Sequence, residues 1–355
     1  MSLRQAFYSS GTFGAIAVLF FAAAPCAGAE ELRVYSYLTP QFLQPVLTAF
    51  EYQTGVTVKA DYMTANQLRD RLVKERNGPS ADVIFTMEAK RLADLVAADV
   101  LAPQASERLT KAIPAHLRHP EDLWFGLSKW SRSVYYSTQR VDPTDLNDYL
   151  DLADPRWRGR ICVRPSNKIY VQSMLASIIA NDGEQTARRF VRGIVANLAR
   201  PPVDLDVVQL EAVAAGQCDL AIANSYYYER IVPLQASALQ GDGGARAKEL
   251  IAAVAPRALE QNRRGVHVNI SAFALTRASR QPALARRLME YMAQPLAQRL
   301  YADASHDFPI IDGLRSAPSA KIFGDFKEDT LPIATLANHY KLAERISREE
   351  GWSWK

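Results

Sequence analysis

The chain has 355 residues, with 42 Lys and Arg against 38 Asp and Glu, a net charge of +4, 48% hydrophobic residues and 23% charged ones. This composition excludes disordered, collagen-like and coiled-coil classes, and so small a net charge speaks against a nucleic-acid binder. The length fits about two domains at roughly 100–200 residues each, so a cleft between lobes is expected.

Residues 1–29 read as a cleaved signal peptide. Arg4 gives a short positive region, an apolar run from Phe13 to Ala24 follows, and Ala27-Gly28-Ala29 offers the small-x-small cleavage pattern. The run falls short of the roughly 20 apolar residues of a membrane-spanning helix, and Pro25 before Cys26 suits lipoprotein processing poorly. Cleavage after Ala29 leaves 326 residues with 41 basic and 38 acidic side chains, a soluble exported body of charge +3. Of the three cysteines only Cys162 and Cys218 remain in it. In an oxidising compartment two such residues can pair. A bridge would close a loop of about 57 residues, worth roughly 4 kcal/mol in the chain-entropy account; two buried free thiols are the alternative.

The exported body alternates strands and helices. Leu32–Tyr37 reads as a strand, followed by a helix entered at Gln44, with Pro45 at its first position and Gly55 as its stop. Val56, Val58 and Ala60 alternate as a strand. Thr64-Ala65-Asn66-Gln67 is a capping box opening a helix with Leu68 and Leu72 on its apolar face. Ala81–Met87 is a short β-rich run and Ala89–Ala98 a helix. Arg160–Arg164 reads as a strand, Tyr170–Asn181 as a helix ended near Gly183, and Val207–Ala215 as a helix running past Gly216 into a strand Cys218–Ala223. Val266–Leu275 is a late strand, Pro282 to about Leu300 a long amphipathic helix, and Leu331–Glu349 a final one, while Gly241–Gly244 is the clearest loop. Strands alternating with helices predict an α/β protein with mostly parallel sheets covered by helices.

Catalytic machinery is hard to find. There is no G-x-S-x-G elbow, H-E-x-x-H, P-loop, G-x-G-x-x-G or C-x-x-C. His116 and His119, bracketed by Pro114 and Pro120, read as a solvated loop pair, and His267 as a satisfied histidine in a strand. No carboxylates form a local arrangement that demands acid–base work.

One segment stands out: Asn224-Ser225-Tyr226-Tyr227-Tyr228, at the carboxyl end of the strand that closes on Ala223. Ligands of open α/β sheets bind at such ends. Aromatic core packing is the plain reading, but three consecutive strand residues cannot all face one core. Phenolates are hard oxygen anions suited to a hard, highly charged cation such as Fe³⁺.

Several motifs in order resemble the periplasmic ferric-iron-binding proteins of ABC transporters, the ferric-binding-protein and Fut-type family. They are Val34-Tyr35-Ser36-Tyr37, Ala81-Asp82-Val83-Ile84-Phe85-Thr86, Trp124-Phe125-Gly126-Leu127-Ser128 with Ser131-Arg132-Ser133-Val134, and Trp157-Arg158-Gly159-Arg160 leading to Ser166-Asn167-Lys168-Ile169-Tyr170. Asn224-Ser225-Tyr226-Tyr227, His267-Val268-Asn269-Ile270-Ser271 and the ending Glu350-Gly351-Trp352 complete the set. The resemblance implies the type II, two-lobed periplasmic binding-protein fold joined by crossover strands. Residues 30–131 with 262–307 form the expected N-terminal lobe, and 132–261 with 308–355 the C-terminal lobe. It further implies Tyr170, Tyr226 and Tyr227 as Fe³⁺ ligands, Arg132 as holder of a synergistic anion such as carbonate, and a Cys162–Cys218 disulfide.

The sequence departs from the family where many members place His after the first strand, for Leu38-Thr39-Pro40-Gln41 offers no strong ligand. Met87 stands where some members carry Glu. Tyr37 or Glu88 is then the further candidate from the N-terminal lobe. The function so implied is a monomeric periplasmic solute-binding protein, not an enzyme, that carries Fe³⁺ to an inner-membrane ABC permease. The alternatives are a binder of an iron chelate or small organic anion anchored on Arg132, and an exported enzyme with Tyr226 or Tyr227 as base.

Overall fold

The computed structural model describes residues 30–236, 242–311, 313–314 and 323–352. The expected signal peptide and Gly241 lie outside them.

The first half is built of β1 (Glu31–Ser36), α1 (Pro40–Thr54), β2 (Thr57–Tyr62), α2 (Ala65–Lys74), β3 (Val83–Met87), α3 (Ala89–Ala97), the short β4 (Leu101–Ala102) and α4 (Glu107–Ala112). α1 starts four residues before the expected Gln44, because Pro40 takes the first-turn position behind Thr39 and leaves Pro45 inside the helix. Its buried stripe is Leu43, Val46, Leu47 and Phe50, and Gly55 closes it at φ 72°, a left-handed conformation that glycine adopts freely. The Thr64 capping box forms as expected, with both reciprocal bonds to Gln67.

β5 (Phe125–Ser137) is a 13-residue strand on which the molecule is hung. The second half then follows: β6 (Ile161–Cys162), α5 (Ile169–Asp182), α6 (Glu184–Ala196), α7 (Asp206–Ala214), β7 (Leu220–Asn224), α8 (Ser225–Ala236), α9 (Asp242–Ala253) and β8 (Val254–Arg257). α6 has no counterpart among the expected elements, and Asp242–Gly244 open α9 where a loop was expected. The chain returns through β9 (Val268–Thr276), α10 (Pro282–Met292), α11 (Pro295–Ser305) and β10 (Phe308–Pro309). The single long helix expected from Pro282 is therefore two, because Pro295 cannot donate in a helix interior and instead starts the second. The last expected helix likewise divides into a 3-10 segment, Ile333–His339, and a helix, Tyr340–Glu349.

The strands run in the order β2-β1-β3-β9-β5-β7-β6. β1 pairs in parallel with β2 and β3, and β6 with β7, whereas β9 and β5 lie antiparallel to their neighbours. β5 changes partner midway: Ser131 faces Val268 on β9, and Arg132 faces Asn224 on β7. Phe125 and Leu127 therefore belong to the apolar cluster of the first half, while Val134 and Tyr135 enter two separate clusters of the second. This is a two-lobed α/β fold with β5 and β9 as crossover strands.

A third strand-like segment runs beside them, where Val266 bridges Glu328. Gly265, at φ 99°, lets that segment approach, since a Cβ there would lie 2.5 Å from the Glu328 carbonyl carbon. β10 pairs with Ser128 and Lys129, and Ile310, Ile333, Leu336 and Tyr340 join the first cluster, whereas Ala343, Ile346 and Trp352 join the second.

Cys162 and Cys218 are bonded, with Cα atoms 5.9 Å apart, tying the end of β6 to the turn before β7.

Candidate functional site

The tyrosine run lies on a helix, not a strand, because α8 begins at Ser225 directly after β7. Successive side chains then fan out by about 100° rather than alternating. Tyr228 turns into the core, donating to the Val254 carbonyl at 2.7 Å with its ring 5.4 Å from that of Tyr135. Tyr226 and Tyr227 stay together at the cleft, ring centroids 4.7 Å apart.

Tyr226 is the centre of a phenol cluster. It is buried, Asn224 Nδ2 donates to its oxygen at 2.9 Å, and both Tyr170 and Tyr227 share hydrogen bonds with it. Tyr170 comes from the first turn of α5 in the second lobe, and Tyr37 from the residue after β1 in the first, close enough to raise the Tyr170 pKa. The three expected second-lobe tyrosines thus meet, and the first-lobe candidate Tyr37 lies near enough to act electrostatically on Tyr170.

Burial shifts these phenols away from ionisation. Tyr170 is pushed up to about 12, first by desolvation and then by Tyr37, with Arg91 pulling the other way. Tyr226 is held well above 10 by burial and by its tyrosine neighbours. Tyr227 is raised by burial and Asp206, against Arg164 and Arg230. An empty cleft therefore holds neutral phenols, and only a strong cation makes phenolates of them.

Three guanidinium groups surround the cluster, and the sequence patterns singled out none of them. Arg91 stacks 4.2 Å from the Tyr37 ring centroid, and its buried Nη1 has no partner. Arg164 lies 5.5 Å from the Tyr170 ring and pairs with Asp204 at 2.6 Å. Arg230 is held between Phe42 at 4.8 Å and Tyr226 at 4.6 Å, and donates to the Ser305 carbonyl at 2.9 Å, so it joins α8 to the other lobe. Cations over aromatic faces of this kind are attractive.

Arg132, expected to hold an anion, is paired within its own lobe through Nη1, while its buried Nε has no partner. It is buried, and its Nη1 donates to Asp206 Oδ2 at 2.7 Å and to Asn224 Oδ1 at 3.0 Å. Asp206 and Asn224 both belong to the second lobe, so the pair does not bridge the cleft. It fixes Asn224, whose amide in turn orients Tyr226.

Glu88 is also engaged away from the phenols. Its carboxylate is fully buried, accepts from Asn269 Nδ2 at 2.6 Å and from the Lys90 amide at 3.1 Å, and is pushed up to about 7 by desolvation.

The other histidines differ from the sequence reading. His116 is not solvated but contacts Glu328 at 2.9 Å, a carboxylate shared with Lys129. His267 is buried with no partner on Nε2, and desolvation lowers it to about 3. Among the described residues no three His, Cys, Asp or Glu side chains gather as a metal site. The phenols are the donor set the cleft offers.

A cleft between two lobes hinged on crossover strands, lined by side chains from both, is the architecture of a solute-binding protein. The profile of the bacterial extracellular solute-binding protein family matches residues 46–328, and the chain belongs to that family. It is 38% identical over 289 residues to iron uptake protein A2 of Synechocystis, covering 81% of this chain and 82% of that one. A Trichodesmium FutA structure in complex with iron and citrate superposes with a TM-score of 0.85 at 34% identity, covering 91% of this chain and all of the other. The ferric iron-binding protein A of Mannheimia haemolytica in an open conformation gives 0.83 at 34% identity, over 91% and 99%.

Proposed function

We propose that this protein captures ferric iron in the interlobe cleft through the phenolates of Tyr170, Tyr226, Tyr227 and Tyr37, and hands it to a membrane ABC permease in the periplasm. The observation that carries this is the gathering of tyrosines from both lobes where, among the described residues, no His, Cys or carboxylate cluster competes. Its relatives, an iron uptake protein of Synechocystis and a major ferric iron-binding protein of Neisseria meningitidis, support the same reading.

Hard phenolate oxygens suit Fe³⁺, and burial strengthens each Fe–O attraction by excluding water. Four phenolates around one Fe³⁺ leave a single negative charge, which Arg91 and Arg230 offset. An anion such as carbonate is then not needed for charge balance, although Arg132, whose Nη1 is in the ion pair, keeps a partnerless Nε that could still serve one. Capture closes the lobes by a hinge motion on β5 and β9, with Arg230 meeting Phe42 and Ser305 in the closed form.

The test is optical. Iron-free protein titrated with ferric citrate is expected to turn red-orange through phenolate-to-iron charge transfer, and Tyr226→Phe with Tyr227→Phe to stay colourless. A wild-type protein that stays colourless and gains no thermal stability from ferric iron would refute the proposal, since a ligand bound only by the native state must raise its stability.

A further inference from the structure

Glu88 occupies a position that a side chain must have a reason to hold. Its backbone sits at φ 83° and ψ 128°, a region populated almost only by glycine. Strain at a non-glycine residue persists only where the surroundings over-determine it. Here they do, because the carboxylate gathers partners from four parts of the chain. It caps α3 by accepting from the Lys90 amide at 3.1 Å. Asn269 on the crossover strand β9 donates to it at 2.6 Å, while the Asn269 carbonyl oxygen accepts from the Ala89 amide at 3.0 Å. Tyr340, at the start of the terminal helix, reaches it at 3.5 Å. The Ser173 hydroxyl on α5 lies between two acceptors, this carboxylate and the Tyr170 carbonyl at 3.1 Å.

Two of these links lead to the phenol cluster. Ser173 is three residues beyond Tyr170, on the same turn of α5. Arg91, on the turn of α3 that Glu88 caps, stacks on Tyr37. One buried carboxylate thus holds the element carrying Tyr170 against the element that steadies Tyr37, and anchors both to a crossover strand.

We propose that Glu88 is a positioning residue of the cleft, a clasp that sets Tyr170 of the second lobe against Tyr37 of the first without touching the metal. The inference rests on the ferric reading above for its consequence, though not for the clasp itself. Partners that orient metal ligands in this way are worth about 10- to 100-fold in metal affinity when removed.

The experiment compares Glu88→Gly, Glu88→Gln and Ser173→Ala with wild type. Glycine relieves the backbone while deleting the carboxylate, glutamine keeps an acceptor, and Ser173→Ala cuts the link to α5 alone. In the iron-free proteins, amide hydrogen exchange over residues 169–175 is expected to speed up in Glu88→Gly and Ser173→Ala, and to return toward wild type in Glu88→Gln. In the iron-loaded proteins, iron loss to excess EDTA is expected to be about tenfold faster in Glu88→Gly, with a shifted charge-transfer maximum. A colourless wild type would defeat the ferric reading and leave the exchange measurement to decide the clasp. Unchanged exchange on α5 in both Glu88→Gly and Ser173→Ala overturns the clasp whatever the iron does. Should Glu88→Gly fail to fold, exchange in Ser173→Ala and Glu88→Gln decides: if neither differs from wild type, the clasp is overturned.

Discussion

Asp206→Asn tests whether the ion pair behind the tyrosines is structural. Asp206 and Arg132 are buried to 0% and 3% side-chain exposure, and Arg132 Nη1 lies 2.7 Å from Oδ2. The same oxygen accepts the Asn224 amide at 3.0 Å. Asparagine keeps the shape and one acceptor oxygen but leaves the guanidinium charge without its partner in a dry interior. Breaking one side of a buried pair costs about 3–5 kcal/mol, whereas removing both charges with apolar replacements can be neutral. The retained amide oxygen places the expected loss near the lower end, about 3 kcal/mol. Urea unfolding of iron-free protein, followed by far-UV circular dichroism, measures it. Adding Arg132→Met to Asp206→Asn is expected to restore about half or more of the loss, since the stranded charge is then gone. Iron affinity should fall in both variants, because Asn224, which presents its amide to Tyr226, loses its anchor. A loss below about 1 kcal/mol, or a double variant as unstable as the sum of the singles, would refute the reasoning.

Reducing the disulfide pair, as Cys162→Ser with Cys218→Ser, is expected to cost roughly 4 kcal/mol for the 56-residue separation, read as a lowered urea midpoint. Gly265→Ala should lower the melting temperature far more than Gly55→Ala: both glycines have positive φ, but a Cβ at 265 meets the Glu328 backbone at 2.5 Å and one at 55 meets nothing within 4 Å. Iron binding should release about four protons per ion at pH 7, one from each of Tyr37, Tyr170, Tyr226 and Tyr227, the last three of which are raised by burial and must ionise against it; calorimetry in two buffers of different ionisation heat counts them, and release of fewer than two would count against phenolate ligation. His267 is lowered from 6.5 to about 3, so the unfolded chain takes the proton first. Its contribution to stability is present above pH 6.5 and is lost as pH falls from there toward 3, a slope that His267→Gln should flatten in iron-free protein.

The sequence revealed the secondary structure where local chemistry dictates it, and missed it where chain-distant packing does. The Thr64 capping box and the Gly55 stop need only neighbours in the chain, and each stands where its residues said. Pro295 is hidden as a helix start because the apolar period continues across it. The residues around the phenols are a different matter. Arg91, Arg164 and Arg230 look like any surface arginine in the sequence, since a guanidinium over an aromatic face has no spacing signature. Arg132 was legible as a functional position, but its partner Asp206 lies 74 residues away, and nothing local says whether a buried arginine is satisfied within the fold or waits for a ligand. Positive φ at Glu88 was equally hidden, for only the fold reveals a glycine conformation borne by a glutamate.

The cleft's electrostatics bear on delivery as well as capture. An empty site of ionised phenolates would bind any passing cation and would repel itself; one of neutral, hydrogen-bonded phenols does neither. Burial that raises Tyr170, Tyr226 and Tyr227 keeps the empty cleft neutral, so the guanidiniums of Arg91 and Arg230 are the charges left facing it. A weakly held divalent ion cannot recover the cost of ionising several phenols, whereas Fe³⁺ with its higher charge would, and the guanidiniums would then offset the surplus negative charge of the phenolates. Opening the lobes would admit water, which weakens each Fe–O attraction and supplies the protons that return the phenolates to neutral phenols. On the proposed ferric reading, a cleft of this construction would hold its ion when shut and surrender it when opened, with no change in the ion's oxidation state required.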